Sequence, residues 1–123
     1  TPILEETKLF RRSVGESSDI VGKEMYQFED KGKNDVCMRP EGTAGVVRAF
    51  VQAKLDRRQN EKFKFYYYGA MFRYERPQKG RLREFHQFGC ESFGEASVYE
   101  DFTIIQMIGD IFQALGIGYN LQI

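Results

Sequence analysis

Between positions 71 and 83 the chain reads Met71-Phe72-Arg73-Tyr74-Glu75-Arg76-Pro77-Gln78-Lys79-Gly80-Arg81-Leu82-Arg83, five basic side chains and one acid around a proline and a glycine. Arginine offers phosphate oxygens a planar fork of donors, and Gly80 lets the backbone come close, so a loop of this composition can surround a polyphosphate. The same residues would also suit a solvated basic hairpin. Directly after the loop, Phe85 presents a ring on which a base could stack. Gln87 and Glu91 then share one face of an extended segment and flank Gly89. A polar pair around a residue with no side chain is either the floor of a small pocket or part of an exposed polar sheet face.

Other reactive residues are few. His86 is the single histidine, and the two-residue strand period points it away from Gln87, which suits a structural role better than that of a general base. Cys37 and Cys90 form no CxxC pair, so a four-ligand zinc site is not expected, and no metal ligands are assigned to protein side chains. Both thiols are expected to be buried as small apolar groups in a reducing, cytoplasmic setting.

With 123 residues, 41% of them hydrophobic, the chain reads as one soluble domain whose folding can bury roughly two-thirds of the extended surface. Lys and Arg total 18 and so do Asp and Glu, which argues against gripping nucleic acid by bulk basicity. The sum conceals a division, because every Lys and Arg lies at or before Arg83, leaving residues 1–83 at +6 and residues 84–123 at −6. There is neither a signal peptide nor an apolar run of about 18 residues, so export and membrane spanning are not expected. Opening on Thr1-Pro2-Ile3 and closing on an apolar run, the sequence reads as an excerpt from something longer.

The elements that must position these residues follow from pattern. Residues 2–4 read as extended, 5–14 as a short helix stopped by Gly15, and 25–28 and 36–39 as a hairpin around Lys31-Gly32-Lys33-Asn34. Pro40-Glu41-Gly42-Thr43 interrupts the strand pattern, and a helix is expected over 44–55, capped by Thr43 or its neighbours. Strands are expected over 63–74 and 84–93, the first with Phe63, Phe65, Tyr67 and Gly69 on one face and Lys64, Tyr66 and Tyr68 on the other. Ser97 and Glu100 form a capping-box pattern for a helix with Val98, Phe102, Ile105, Ile108, Phe112 and Leu115 on its apolar side, stopped by Gly116. One more strand is expected over 119–123. The result is an α+β domain, an antiparallel β-sheet flanked by helices.

Phe72-Arg73-Tyr74-Glu75 resembles the F-R-x-E core of motif 2 in class II aminoacyl-tRNA synthetases, and Arg39-Pro40-Glu41-Gly42-Thr43-Ala44-Gly45 resembles the R-P-E-G-T segment upstream of it. The string from Phe72 to Arg81, continued by Phe85-His86-Gln87-Phe88-Gly89-Cys90-Glu91, is similar to histidyl-tRNA synthetases in particular. Pro2 resembles the motif 1 proline at that family's dimer interface. The resemblance therefore spans nearly the whole chain: motif 1 over about 1–30, the R-P-E-G-T segment over 39–45 and motif 2 over about 65–93. It implies part of the class II catalytic fold, a single partial catalytic domain over 1–123.

The resemblance also implies a chemistry: histidine and ATP form histidyl-adenylate, and the histidyl group then passes to tRNA(His). By the same resemblance Arg73 is the catalytic cation, touching both the α-phosphate and the amino-acid carboxylate. ATP is held by Arg73, Glu75 at the adenine edge, Arg81 at the terminal phosphates and Phe85 stacked on adenine, with Mg2+ as companion ion. Histidine is held by Glu41, Gly42 and Thr43 with Arg73 and Gln87, while Glu91 accepts a hydrogen bond from the imidazole. A homodimer through motif 1 is implied.

The family's motif 3, its later histidine-specific segment and its C-terminal anticodon-binding domain have no counterpart in these residues, so half of an active site is expected, with weak or no activity by itself. The intact set Arg73, Glu75, Arg81, Gln87 and Glu91 favours an enzyme lineage. The alternative is the catalytically silent synthetase-like regulatory subunit of ATP phosphoribosyltransferase in histidine biosynthesis, and a third reading is an interaction domain with apolar surface exposed.

Overall fold

The computed structural model describes residues 1–15, 18–76 and 78–122, and the chain divides into two compact units. One comprises Thr1–Gln59 and Phe65–Glu91, the other Asn60–Lys64 and Ser92–Ile123.

In the first unit, strand β1 (Leu4–Glu6) leads into helix α1 (Thr7–Val14), and β2 (Gln27–Glu29) and β3 (Asp35–Met38) form the expected hairpin. The three strands make an antiparallel sheet in the order β1-β3-β2, with Glu5 opposite Cys37 and Phe28 opposite Val36. Glu5 and Glu6, expected in the helix, are strand residues instead, because pairing with β3 satisfies their backbone groups before the chain turns. The hairpin turn is organised by Asp30, whose Oδ1 accepts the backbone N–H groups of Gly32 (2.7 Å) and Asn34 (2.9 Å). Between α1 and β2, Ile20–Glu24 winds as a π-helical turn that the apolar pattern did not announce.

Helix α2 (Thr43–Gln52) stops three residues short of the expected end, where Lys54 takes a left-handed backbone (φ 56°) and Leu55–Arg57 forms a 3-10 turn. The core lies under α1, β3 and α2: Phe10, Cys37 and Ala44 are buried, with Leu9 and Met25 packed against them. Thr7 is buried too, its hydroxyl donating to Asp35 Oδ1 at 2.9 Å. Of the two thiols Cys37 is buried, whereas Cys90, expected to be buried as well, is half-buried, on the same strand period as exposed Glu84, His86 and Phe88.

Strands β4 (Phe63–Phe72) and β5 (Glu84–Phe93) form a second antiparallel sheet. Burial along β4 alternates as the pattern required, with Tyr66 and Tyr68 exposed and Phe65 and Tyr67 half-buried. Strand β4 ends two residues early because Arg73 and Tyr74 turn their N–H groups to Arg83 O (2.9 Å) and Glu24 O (2.7 Å).

In the second unit, α3 (Val98–Ala114) begins at Ser97, whose hydroxyl accepts the Tyr99 N–H. The other half of the expected capping box does not form. Glu100 pairs with Lys64 at 2.9 Å, and the Ser97 N–H donates to Glu95 Oε1 instead, while Glu95 also pairs with Lys62. Helix α3 is stopped at Gly116 (φ 68°), with the Ile117 N–H donating to Phe112 O at 2.9 Å. Residues 119–122 do not form the expected strand; Tyr119 packs on Phe112 instead, with ring centroids 5.4 Å apart. Position 123, also expected in that strand, lies outside the described residues. None of the α3 residues is buried, and Phe102 and Leu115 of its apolar side are more than half exposed. Among the described residues no helix is long and apolar enough to cross a membrane.

Candidate functional site

The segment Pro40 to Thr43, which leads from β3 into the first residue of α2, touches Arg73 just past the end of β4 and Glu91 on β5. Its first contact is with Arg73. The Arg73 Nε–H donates to the Pro40 carbonyl at 2.9 Å, and the guanidinium carbon lies 5.2 Å from the centroid of the Phe85 ring. Two constraints of different kind, one directional and one through the aromatic face, hold a cation that otherwise has many rotamers. The Phe72 N–H donating to Arg39 O at 3.0 Å aligns the two backbones at this point.

Its second contact is with β5. The Thr43 hydroxyl donates to Glu91 Oε1 at 2.7 Å. Glu41 turns toward its own helix: its carboxylate accepts the N–H groups of Thr43 (2.6 Å) and Ala44 (3.0 Å), so Glu41 caps α2. Either oxygen keeps a further lone pair for a ligand cation.

The space that the sequence reading left open beside Gly89 is filled. The Tyr67 ring from β4 lies against Gly89 and also against Gly42, so closely that a Cβ at either position would overlap it. Glycine is required at both places by this approach rather than by backbone angle. Desolvation pushes the Tyr67 phenol above its ordinary range, opposed by a hydrogen bond with Thr43 and assisted by the nearby charges of Glu91, Glu41 and Cys90. At neutral pH it is therefore a protonated hydroxyl. Tyr67 was not singled out in the sequence. The available signal was an aromatic residue on the same strand face as Gly69, with glycines at 42 and 89 on neighbouring segments.

The loop between the strands is closed on itself. Arg81 Nη1 donates to Glu75 Oε2 at 3.1 Å, and the short bridge of Gln78 with Arg81 turns through Gly80 (φ 82°). Arg83 stacks on Tyr74, its guanidinium carbon 4.0 Å from the ring centroid, and Tyr26 meets the same ring edge-on at 5.6 Å. Pro77, within this loop, lies outside the described residues.

Of the sequence-derived site residues, Glu41, Gly42, Thr43 and Glu91 come together around Tyr67, Arg73 joins Phe85 and Pro40, and Glu75 joins Arg81. Gln87 is half-buried on β5, outside the Thr43 to Glu91 hydrogen bond. His86 is exposed on the opposite face, 5.5 Å from Tyr68 between ring centroids. Among the described residues no three His, Cys, Asp or Glu side chains converge to hold a metal ion.

Residues 1–123 match the family model described as histidyl-tRNA synthetase. Over 123 residues the chain is 85% identical to the histidine–tRNA ligase of Sulfurovum sp. (strain NBC37-1) and 76% identical to that of Sulfurimonas denitrificans, covering all of this chain and 30% of each relative. The chain thus spans about a third of the length of the curated relatives it matches. The crystal structure of apo S. aureus histidyl-tRNA synthetase superposes with a TM-score of 0.74 at 39% identity, covering 94% of this chain and 25% of that one. A Bacillus halodurans protein described as an ATP phosphoribosyltransferase regulatory subunit/histidyl-tRNA synthetase gives 0.76 at 24% identity, covering 96% and 29%, a likeness of fold alone. The motif segments that the fold gathers around Arg73 and Glu91, and a family model that spans every residue, lead to one conclusion: the chain belongs to the histidyl-tRNA synthetase family.

Proposed function

We propose that this chain is a catalytic-core segment of a histidine–tRNA ligase, binding ATP and histidine and contributing Arg73 to adenylate formation. The observation that carries the reading is the double contact of one short segment: Pro40 holds Arg73, and three residues on Thr43 holds Glu91. The residue proposed for the phosphate and the one proposed for the imidazole are thereby fixed to a common support.

In the proposed first step a histidine carboxylate oxygen bonds to the α-phosphorus of ATP, and the bond to the bridging oxygen breaks to release pyrophosphate. Both reactants are anions, which at about 4 Å and an effective dielectric near 20 repel by roughly 4 kcal/mol per pair of unit charges. A guanidinium with donors toward both offsets that repulsion as they approach. Phe85 would stack on adenine, and Glu75 would meet the adenine amino edge. Arg81 would turn from Glu75 to the terminal phosphates. Glu41, Thr43 and Gln87 would receive the substrate ammonium, and Glu91 an imidazole N–H. In the second step a terminal ribose hydroxyl of tRNA(His) takes the histidyl group and AMP leaves.

The proposal assigns Mg2+ no ligands among the side chains of this chain. The ion enters the proposal only as a companion of the ATP phosphates, and no step is routed through it. A homodimer through residues near Pro2 and a cytoplasmic setting complete the reading.

The test is ATP–pyrophosphate exchange by this chain and by the full-length Sulfurovum relative, with each amino acid in turn. Histidine-dependent exchange is expected from the relative, and weak or undetectable exchange from the chain. Robust exchange by the chain alone would refute the partial-site reading. Exchange with a different amino acid would refute the substrate.

A further inference from the structure

We propose that Arg39 is a positioning residue for Arg73: it locks the peptide before Pro40 against strand β4, so that the carbonyl which holds the Arg73 guanidinium stays in one place. This rests on the adenylation role given to Arg73 above.

Arg39 bonds in two directions at once. Its backbone N–H donates to Ile3 O at 2.9 Å and its carbonyl accepts the Phe72 N–H at 3.0 Å, so the backbone here bridges the segment ahead of β1 and the end of β4. The side chain repeats that bridge: Nε–H donates to Ala70 O at 2.8 Å, and Nη1 donates to Thr1 O at 2.8 Å. The guanidinium lies so close to β4 that a Cβ at Gly69 would overlap Nη2. Donors fixed in one plane thus engage carbonyls of two segments, which a flexible chain ending in a single ammonium does not hold together.

Pro40 makes this bridge matter for Arg73. Proline has no N–H with which to fix itself to a neighbouring strand. Its ring is buried, and its carbonyl, which accepts the Arg73 Nε–H at 2.9 Å, takes its place from that packing and from the Arg39 residue before it. Arg39 and Pro40 together therefore run alongside Ala70, Phe72 and Arg73, bonded at each of them. With its Nε–H engaged, Arg73 keeps the N–H groups of its terminal nitrogens for anions, and where these lie follows from where the Pro40 carbonyl lies. A displacement of about 1 Å at a reacting group can slow a reaction about a hundredfold. Arg39 acts through Arg73, without itself meeting the reacting atoms.

The test is single-turnover formation of histidyl-adenylate by the full-length protein that carries this segment. Arg39→Lys keeps the charge but cannot span Ala70 and Thr1, and it is expected to slow the step about tenfold while leaving ATP and histidine affinity within about threefold. In the Arg73→Ala background the same change is expected to slow it less than about twofold, because the residue it positions is gone. An unchanged rate, a loss of the same size that persists without Arg73, or equal losses in rate and both affinities would overturn the proposal. Gly69→Ala pushes the Arg39 guanidinium off β4 without altering either arginine, and it carries the test where Arg39→Lys does not fold. The same Arg73-dependent fall in rate is expected from it, and an unchanged rate would overturn the proposal. Full activity in Arg73→Ala by itself would instead overturn the reading of Arg73, and this proposal with it.

Discussion

Thr43 and Glu91 are joined across 48 positions of sequence by a 2.7 Å hydrogen bond that ties the first residue of α2 to strand β5. With Glu91 ionised and accepting, this is a charge-assisted bond, stronger than a neutral one. It brings an acid from the region of the chain that contains no cation next to a helix N-terminus, where negative charge is favoured.

Glu91→Gln therefore separates affinity from chemistry. The amide is nearly isosteric but uncharged, and it presents donors where the carboxylate presents lone pairs. Equilibrium dialysis on the full-length protein should show a loss of histidine affinity of about tenfold or more, with ATP binding preserved. Unchanged histidine binding would remove Glu91 from the subsite.

Arg73→Ala should slow adenylate formation far more than it weakens ATP, by about a hundredfold or more in single-turnover rate against a few-fold in ATP affinity. Equal losses in rate and affinity would mean that Arg73 only binds.

Glu41 carries two separable duties. Glu41→Ala removes the acceptor for two helix N–H groups and should cost about 1 kcal/mol in urea unfolding of the chain. Glu41→Gln keeps one acceptor oxygen but no charge, so it should unfold closer to the parent while losing histidine affinity. If both variants lose only stability, the ammonium role is wrong.

Gly89→Ala places a methyl group into the Tyr67 ring and should destabilise by about 1–3 kcal/mol. Combining it with Tyr67→Leu, which removes the ring edge, should recover part of that loss. No recovery in thermal melts of the double variant would show that the ring is not what glycine accommodates.

Burial, opposed by a hydrogen bond with Thr7, pushes the Cys37 thiol up to about 11. Because the unfolded thiol ionises at lower pH than the folded one, the folded chain holds the extra proton between the two values, and stability falls as pH rises from about 9 toward 11. Cys37→Ala should lack that part of the decline. At pH 8 a thiol reagent should modify half-buried Cys90 first and Cys37 only at the rate of opening. Equal rates for both thiols would contradict the burial.

Much of the local structure was legible because it depends on neighbours in sequence. The alternation along 63–72 gave the two faces of β4, the limits of β5 at 84 and 93 fell where expected, and Gly15 and Gly116 ended their helices. What failed depended on distant partners. Glu5 and Glu6 suit a helix by type but are drawn into a strand by β3, and Glu100 fits a capping box by spacing yet meets Lys64 instead. Residues 119–122 have strand-forming side chains, but a strand needs a neighbour to receive its hydrogen bonds, and here Tyr119 turns onto Phe112.

The candidate site divides along the same line. The residue types, the Arg-rich loop between two strands and the order of the motif segments are written in the sequence by itself, because a motif is a pattern of side chains at fixed spacing. Which acceptor holds Arg73 and that Tyr67 fills the gap at Gly89 were decided by the tertiary structure alone. Each is a contact between segments more than 20 positions apart, and no local period encodes which partner arrives.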